Sequence, residues 1–109
     1  MIDFVEAYMT DINAYEECEH DEQKIMIKAI SYVLPRIIEN ELTARQSLCL
    51  RLFYVHGKSQ TEIARQLKLS QPTVSRHIAS AKAITNKCLA YSFLAVKKAN
   101  EMWIATEKY

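Results

Sequence analysis

The stretch from Ser59 to Ala79, SQTEIARQLKLSQPTVSRHIA, restricts the possible folds of this chain more than any other. It contains two helix starts in quick succession. Ser59 and Glu62 make an S-x-x-E box, in which the serine hydroxyl and the acid can each satisfy a backbone N–H at a helix start. Ile63, Ala64 and Leu67 then fall on one side of a short helix, with the small Ala64 where two helices would cross closely. Lys68 and Leu69 make a turn, and Leu69 is its buried plug. Ser70 caps the next helix, with Gln71 and Pro72 in the first turn, where a missing N–H does no harm. Val74 and Ile78 point inward at i and i+4. Gln71, Pro72, Ser75, Arg76 and Ala79 point outward, and none of them is acidic.

The flanking sequence is helical as well. One Gly and two Pro in 109 residues argue against a β-rich fold, because hairpin turns need residues with positive φ. Upstream, Thr43 and Gln46 form a second capping box, and Gly57 ends the helix that this box begins. Ile2, Val5, Tyr8, Met9, Ile12 and Tyr15 give one apolar stripe over residues 2 to about 17. A break follows near Cys18 to His20. A helix from about Asp21 carries Ile25, Ala29, Ile30, Val33, Leu34, Ile37 and Ile38, and Pro35 predicts a break in it near Leu34. The expectation is therefore an all-α fold of one helical domain over residues 1–109. It divides into acidic N-terminal helices (1–41), a helix-turn-helix unit (42–87) and a C-terminal helical extension (88–109).

Charge is unevenly spread. Residues 1–41 hold three basic and ten acidic side chains, a charge of −7, whereas residues 42–109 hold eleven basic and three acidic ones, a charge of +8. The basic half is the one that attracts a phosphate backbone. A short turn between two such helices is the helix-turn-helix arrangement, whose second helix presents its N-terminal residues to base edges in the major groove. Gln71 suits adenine N6 and N7, and Arg76 suits guanine O6 and N7 or a phosphate. Thr73 and Ser75 reach either. Lys58, Thr61, Arg65, Lys68, His77 and Lys82 surround this reader and suit phosphate contacts. His77 fits a half-buried or phosphate-facing role better than that of a catalyst.

The stretch LTARQSLCLRLFYVHGKSQTEIARQLKLSQPTVSRHI resembles region 4 of the sigma-70 family of transcription initiation factors. The likeness lies in Leu42–Gln46 (L-T-x-R-Q), in Arg51 to Gly57 around Phe53 and Tyr54, in Ser59–Ala64 (S-x-x-E-I-A), and in Ser70–Ile78. It implies a winged-helix-like fold without a wing, double-stranded DNA as partner, and RNA polymerase as a second partner. It also implies Arg45 and the 58–65 stretch on phosphates, with Gln71, Thr73, Ser75 and Arg76 facing bases. The acidic residues 1–41 do not match a promoter-melting region, so the expectation is a small bacterial sigma-like regulator rather than a complete sigma factor. An interaction module that binds RNA polymerase or a ribonucleoprotein without reading DNA is the rival reading.

Beyond Ile78 no Gly or Pro appears, and the reading helix is expected to run past residue 100 unless it breaks near Thr85 and Asn86. Leu89, Phe93, Val96, Asn100 and Trp103 form one line, with Cys88, Ser92, Ala95 and Ala99 beside it. Two lines imply burial, either under residues 1–40 or against a second copy as a homodimer. Cys18, Cys49 and Cys88 have neither disulfide-framework nor zinc-site spacing. No phosphate loop or nucleophile–base set appears, so neither an enzyme nor a cofactor is expected. No apolar run reaches the ~20 residues that cross a bilayer, and the acidic start lacks signal-peptide character. These features predict a cytoplasmic protein.

Overall fold

The structure, a computed structural model, describes residues 5–6 and 21–107, with side chains for 5–6 and 28–105. Its four long elements are helices: α1 (Asp21–Asn40), α2 (Ala44–Tyr54), α3 (Gln60–Leu67) and α4 (Gln71–Glu107). Val5 and Glu6 are also helical. The rest of the helix expected from residue 2 to about 17, and the break at Cys18 to His20, lie outside the described residues.

Short-range chemistry sets the ends of the short helices. The Thr43–Gln46 box is reciprocal. Gln46 N–H donates to Thr43 Oγ1 at 3.2 Å, and Thr43 N–H donates to Gln46 Oε1 at 3.0 Å. Helix α2 ends where Gly57 takes φ +66°, a region that glycine enters without a Cβ penalty. The Lys58 N–H then bonds back to the Leu52 carbonyl at 3.0 Å. At the start of α3, Glu62 N–H donates to Ser59 Oγ at 3.1 Å. That helix stops at Lys68, which adopts a left-handed conformation with φ 57° and ψ 44°. The side chain there costs on the order of 1 kcal/mol relative to glycine, while Leu69 N–H closes the turn onto the Ala64 carbonyl at 2.9 Å. Ser70 Oγ then accepts from Thr73 N–H at 3.3 Å and starts α4.

Helix α4 is the spine, and three clusters line it in turn. Val74 and Ile78 pack with Cys49, Leu52, Ile63 and Ala64, closed over by Leu67 and Leu69. Ala81 packs with Val5, Leu42 and Leu50. Leu89 packs with Leu34 and Ile37 of α1. Every inward position read from the 59–79 stretch is therefore in the first cluster or packed against it.

Helix α1 corrects one expectation, because it runs through Pro35 without a break. A helix-interior proline costs about 3 kcal/mol through a lost N–H and a crowded carbonyl. Leu34 and Ile37 flank it and are both buried against Leu89. Each such side chain contributes about 1.5–3 kcal/mol on burial, and both reach Leu89 only if the helical register continues across the proline. Arg36 adds local support. Its Nη1 donates to the Tyr32 carbonyl at 2.7 Å, and its guanidinium lies 3.8 Å from the centre of the Tyr32 ring.

Helix α4 passes Thr85 and Asn86 unbroken and reaches Glu107. These two polar residues are buried. Asn86 Oδ1 accepts from Val5 N–H at 2.9 Å, tying the N-terminal helical residues to the spine. Thr85 Oγ1 has no hydrogen-bond partner. Among the described residues, burial against α1 stops soon after Leu89. Tyr91, Phe93, Leu94, Val96, Met102, Trp103 and Ile104 are exposed, so among the described residues α1 covers only the first part of the line expected to be buried.

Candidate nucleic-acid interface

The first cluster grips α4 from the side of Val74 and Ile78, which decides what the opposite side offers. Gln71, Pro72, Ser75, Arg76 and Ala79 are all exposed. Gln71, Ser75 and Ala79 follow one another at four-residue spacing, so they stack on one face. Three of the four residues expected at base edges, Gln71, Ser75 and Arg76, therefore lie on the open side of the helix. Thr73 is half-buried instead. Its hydroxyl is 2.7 Å from Ser70 Oγ and 3.5 Å from Arg76 Nη2, so it belongs to the cap and steadies the arginine.

The residues expected on phosphates are less uniform. Arg45, Thr61, Arg65 and Lys68 are exposed. Thr61 and Arg65 are four apart on α3 and share a face. Lys58 is half-buried, and its Nζ donates to Gln66 Oε1 at 2.6 Å. His77 is half-buried between the reading face and the core side. Lys82 Nζ lies 3.4 Å from Glu6 Oε2 and 5.8 Å from the centre of the Tyr54 ring. The backbone adds to this charge pattern, since the aligned peptide dipoles of α4 place about half a positive charge at its start, beside Gln71.

Two residues escaped the sequence reading of the site, Glu6 and Tyr54. A groove of about 580 Å³ runs between the start of α3 and the reading helix, with Glu6, Tyr54, Gln60, Ser75, Ala79 and Lys82 in its walls. Tyr54 Oη donates to Glu6 Oε2 at 2.7 Å. Burial, and then the Glu6 carboxylate, push the Tyr54 hydroxyl above its ordinary value, with Lys82 acting the other way. It is therefore a proton donor throughout the neutral range. The aromatic position was legible as part of the Arg51–Gly57 pattern. Glu6 carried no signal of its place in the site, because it meets residues 48 and 76 positions away.

The arrangement suits binding through directed hydrogen bonds and charge. Cys49, a potential nucleophile by residue type, is fully buried, and burial pushes its thiol up against the opposing effect of Arg45. Among the described residues no group of three His, Cys, Asp or Glu side chains could hold a metal ion. No helix among them is long and apolar enough to cross a membrane.

The family model for sigma-70, region 4 matches residues 40–84. Residues 40–84 form a sigma-70 region 4-like helix-turn-helix domain. The match takes in the Thr43 cap, all of α2 and α3, and α4 as far as Ile84, so the far half of α4 and Glu6 lie outside it. No curated protein and no solved structure matches the chain. Sigma region 4 domains bind DNA and RNA polymerase. The sigma-like unit here is carried on a helix that continues well beyond it.

Proposed function

We propose that this chain is a sequence-specific DNA-binding transcriptional regulator, acting in the bacterial cytoplasm, that reads the major groove with the first turns of α4. The observation that carries the reading is the acid-free exposed face of Gln71, Ser75 and Arg76 on a helix gripped from behind by α2 and α3. Gln71 and Arg76 supply bidentate base contacts, with Ser75 between them. Thr73 acts at the helix start, on a base edge or through Arg76. Arg45, Lys58, Thr61, Arg65, Lys68, His77 and Lys82 supply the phosphate contacts that set the pose. Replacing Arg76 with Ala is expected to weaken specific duplex binding by about 1–3 kcal/mol while changing binding to random duplex little. Titrations of the two duplexes over a range of salt check this, and an equal loss on both makes Arg76 a phosphate contact. If the folded protein binds no duplex even at low salt, the rival reading stands, in which the sigma-like domain engages RNA polymerase alone.

The same proposal includes a homodimer through the far half of α4. Leu94, Lys97, Glu101 and Ile104 recur at spacings of three and four residues and share one exposed face. An antiparallel pair centred near Ala99 would set Lys97 of one copy against Glu101 of the other, and Leu94 against Ile104. Sedimentation is expected to show a dimer that Glu101→Lys weakens and that Lys97→Glu restores in the same chain. A wild-type chain that stays monomeric at all concentrations removes the dimer and leaves the DNA reading intact.

A further inference from the structure

Glu6 is the acidic residue that stands in the groove beside the reading face, and the protein holds it there. Val5 is 1 % exposed and packs with Leu42, Leu50 and Ala81, while its N–H is anchored on Asn86. The next residue therefore projects from a fixed point. Its carboxylate accepts from Tyr54 Oη at 2.7 Å and lies 3.4 Å from Lys82 Nζ, with Gln60 and Ser75 in the same groove. One O–H donor and one ammonium converging on an anionic oxygen is also the contact set that a phosphodiester oxygen takes from a protein.

Position along the helix supports the same occupant. Ser75, Ala79 and Lys82 recur at i, i+4 and i+7 on α4, so the groove continues the reading face by two turns. A backbone that flanks bases read at Gln71 and Arg76 passes along such a line. The contact is also weak enough to exchange. The Glu6 side chain is 55 % exposed and that of Lys82 25 %, so water reaches the pair from the carboxylate side, and pairs open to solvent contribute only about 0–1 kcal/mol.

We propose that Tyr54 and Lys82 form a seat for one DNA backbone phosphate, and that the Glu6 carboxylate occupies it until duplex displaces it. This rests on the DNA-binding reading. Glu6 lowers affinity for all duplexes alike, because the contact it blocks carries no base information. It also removes one released counterion from the binding reaction, since Lys82 is already neutralised in the free protein.

Fluorescence anisotropy of wild type and Glu6→Gln on random-sequence and footprinted duplexes tests this. Circular dichroism confirms the fold of each variant. Glu6→Gln is expected to bind both duplexes about two- to fivefold more tightly at low salt. Its plot of log affinity against log salt should steepen by about 0.9. In a Lys82→Gln background the same change should leave the salt slope unaltered, since only the uncharged Tyr54 hydroxyl is then freed. Wild-type binding with unchanged or weaker binding by Glu6→Gln overturns the seat but keeps the DNA reading, and would make Glu6 a support for Lys82. No binding by any folded form overturns both.

Discussion

The two halves of α4 form one continuous helix and have different fates. From Gln71 to Leu89 the helix buries Val74, Ile78, Ala81 and Leu89 in three successive clusters, and Thr85 and Asn86 are buried beside them. From Tyr91 to Ile104 it carries more large apolar side chains, yet Leu94 is 61 % and Ile104 54 % exposed. Apolar content therefore does not decide which half belongs to the core. The first half is fixed by α2 and α3, which are too short to stand alone, since isolated helices below about 12–15 residues are marginal in water. The second half is helical as the continuation of that packed helix. It has no Gly or Pro, and Leu94, Ala95, Lys97, Lys98, Ala99, Glu101 and Met102 are residues of good helix propensity. Packing creates the reading surface, and propensity extends the strut.

Substitutions on each side of this divide can break or sharpen it. The largest effect is expected from Ile63→Ala. Ile63 is fully buried at the centre of the first cluster, and its loss should cost about 2–5 kcal/mol in denaturant unfolding. A loss below ~1 kcal/mol would mean that the sigma-like unit is not held by its α3–α4 contact. A smaller effect of opposite sign is expected from Thr85→Val. The unpaired buried hydroxyl is removed at nearly constant shape, which should raise stability by about 1 kcal/mol. If Thr85→Val instead destabilises, the hydroxyl has a partner in solution, and the middle of α4 is wetter than its burial implies. The smallest effect belongs to Leu94→Ala, expected within about 0.5 kcal/mol at low protein concentration. A larger loss there would erase the contrast between the halves and point to the second copy as part of the folded state.

Much of the site was legible because its signals are short-range. Ser59, Ser70 and the Thr43–Gln46 box act across three residues, and the inward set Ile63, Ala64, Val74 and Ile78 follows from helical period alone. The outward set Gln71, Ser75 and Arg76 is its complement. Residue type alone groups Thr73 with the base readers, whereas its hydroxyl is engaged with Ser70 and Arg76. Glu6 was invisible as a site residue. Its only sequence signal was membership of an acidic half, which says nothing about where one carboxylate sits.

Pro35 shows the same limit in the core. Local rules predict a break, and they are correct about the cost of a proline. The burial of Leu34 and Ile37 against Leu89, more than fifty positions later, outweighs that cost.

The sequence by itself determined the helix caps, the inward and outward faces of α3 and the start of α4, and the charge division between the two halves of the chain. These depend on neighbours within one or two helical turns. Only the tertiary structure decided that α1 continues through Pro35, that Asn86 anchors Val5, that Glu6 enters the groove beside the reader, and where cover over α4 ends. Each of those joins residues far apart in the chain. Which distant surfaces meet depends on how all the buried faces are satisfied together, and no local pattern encodes that.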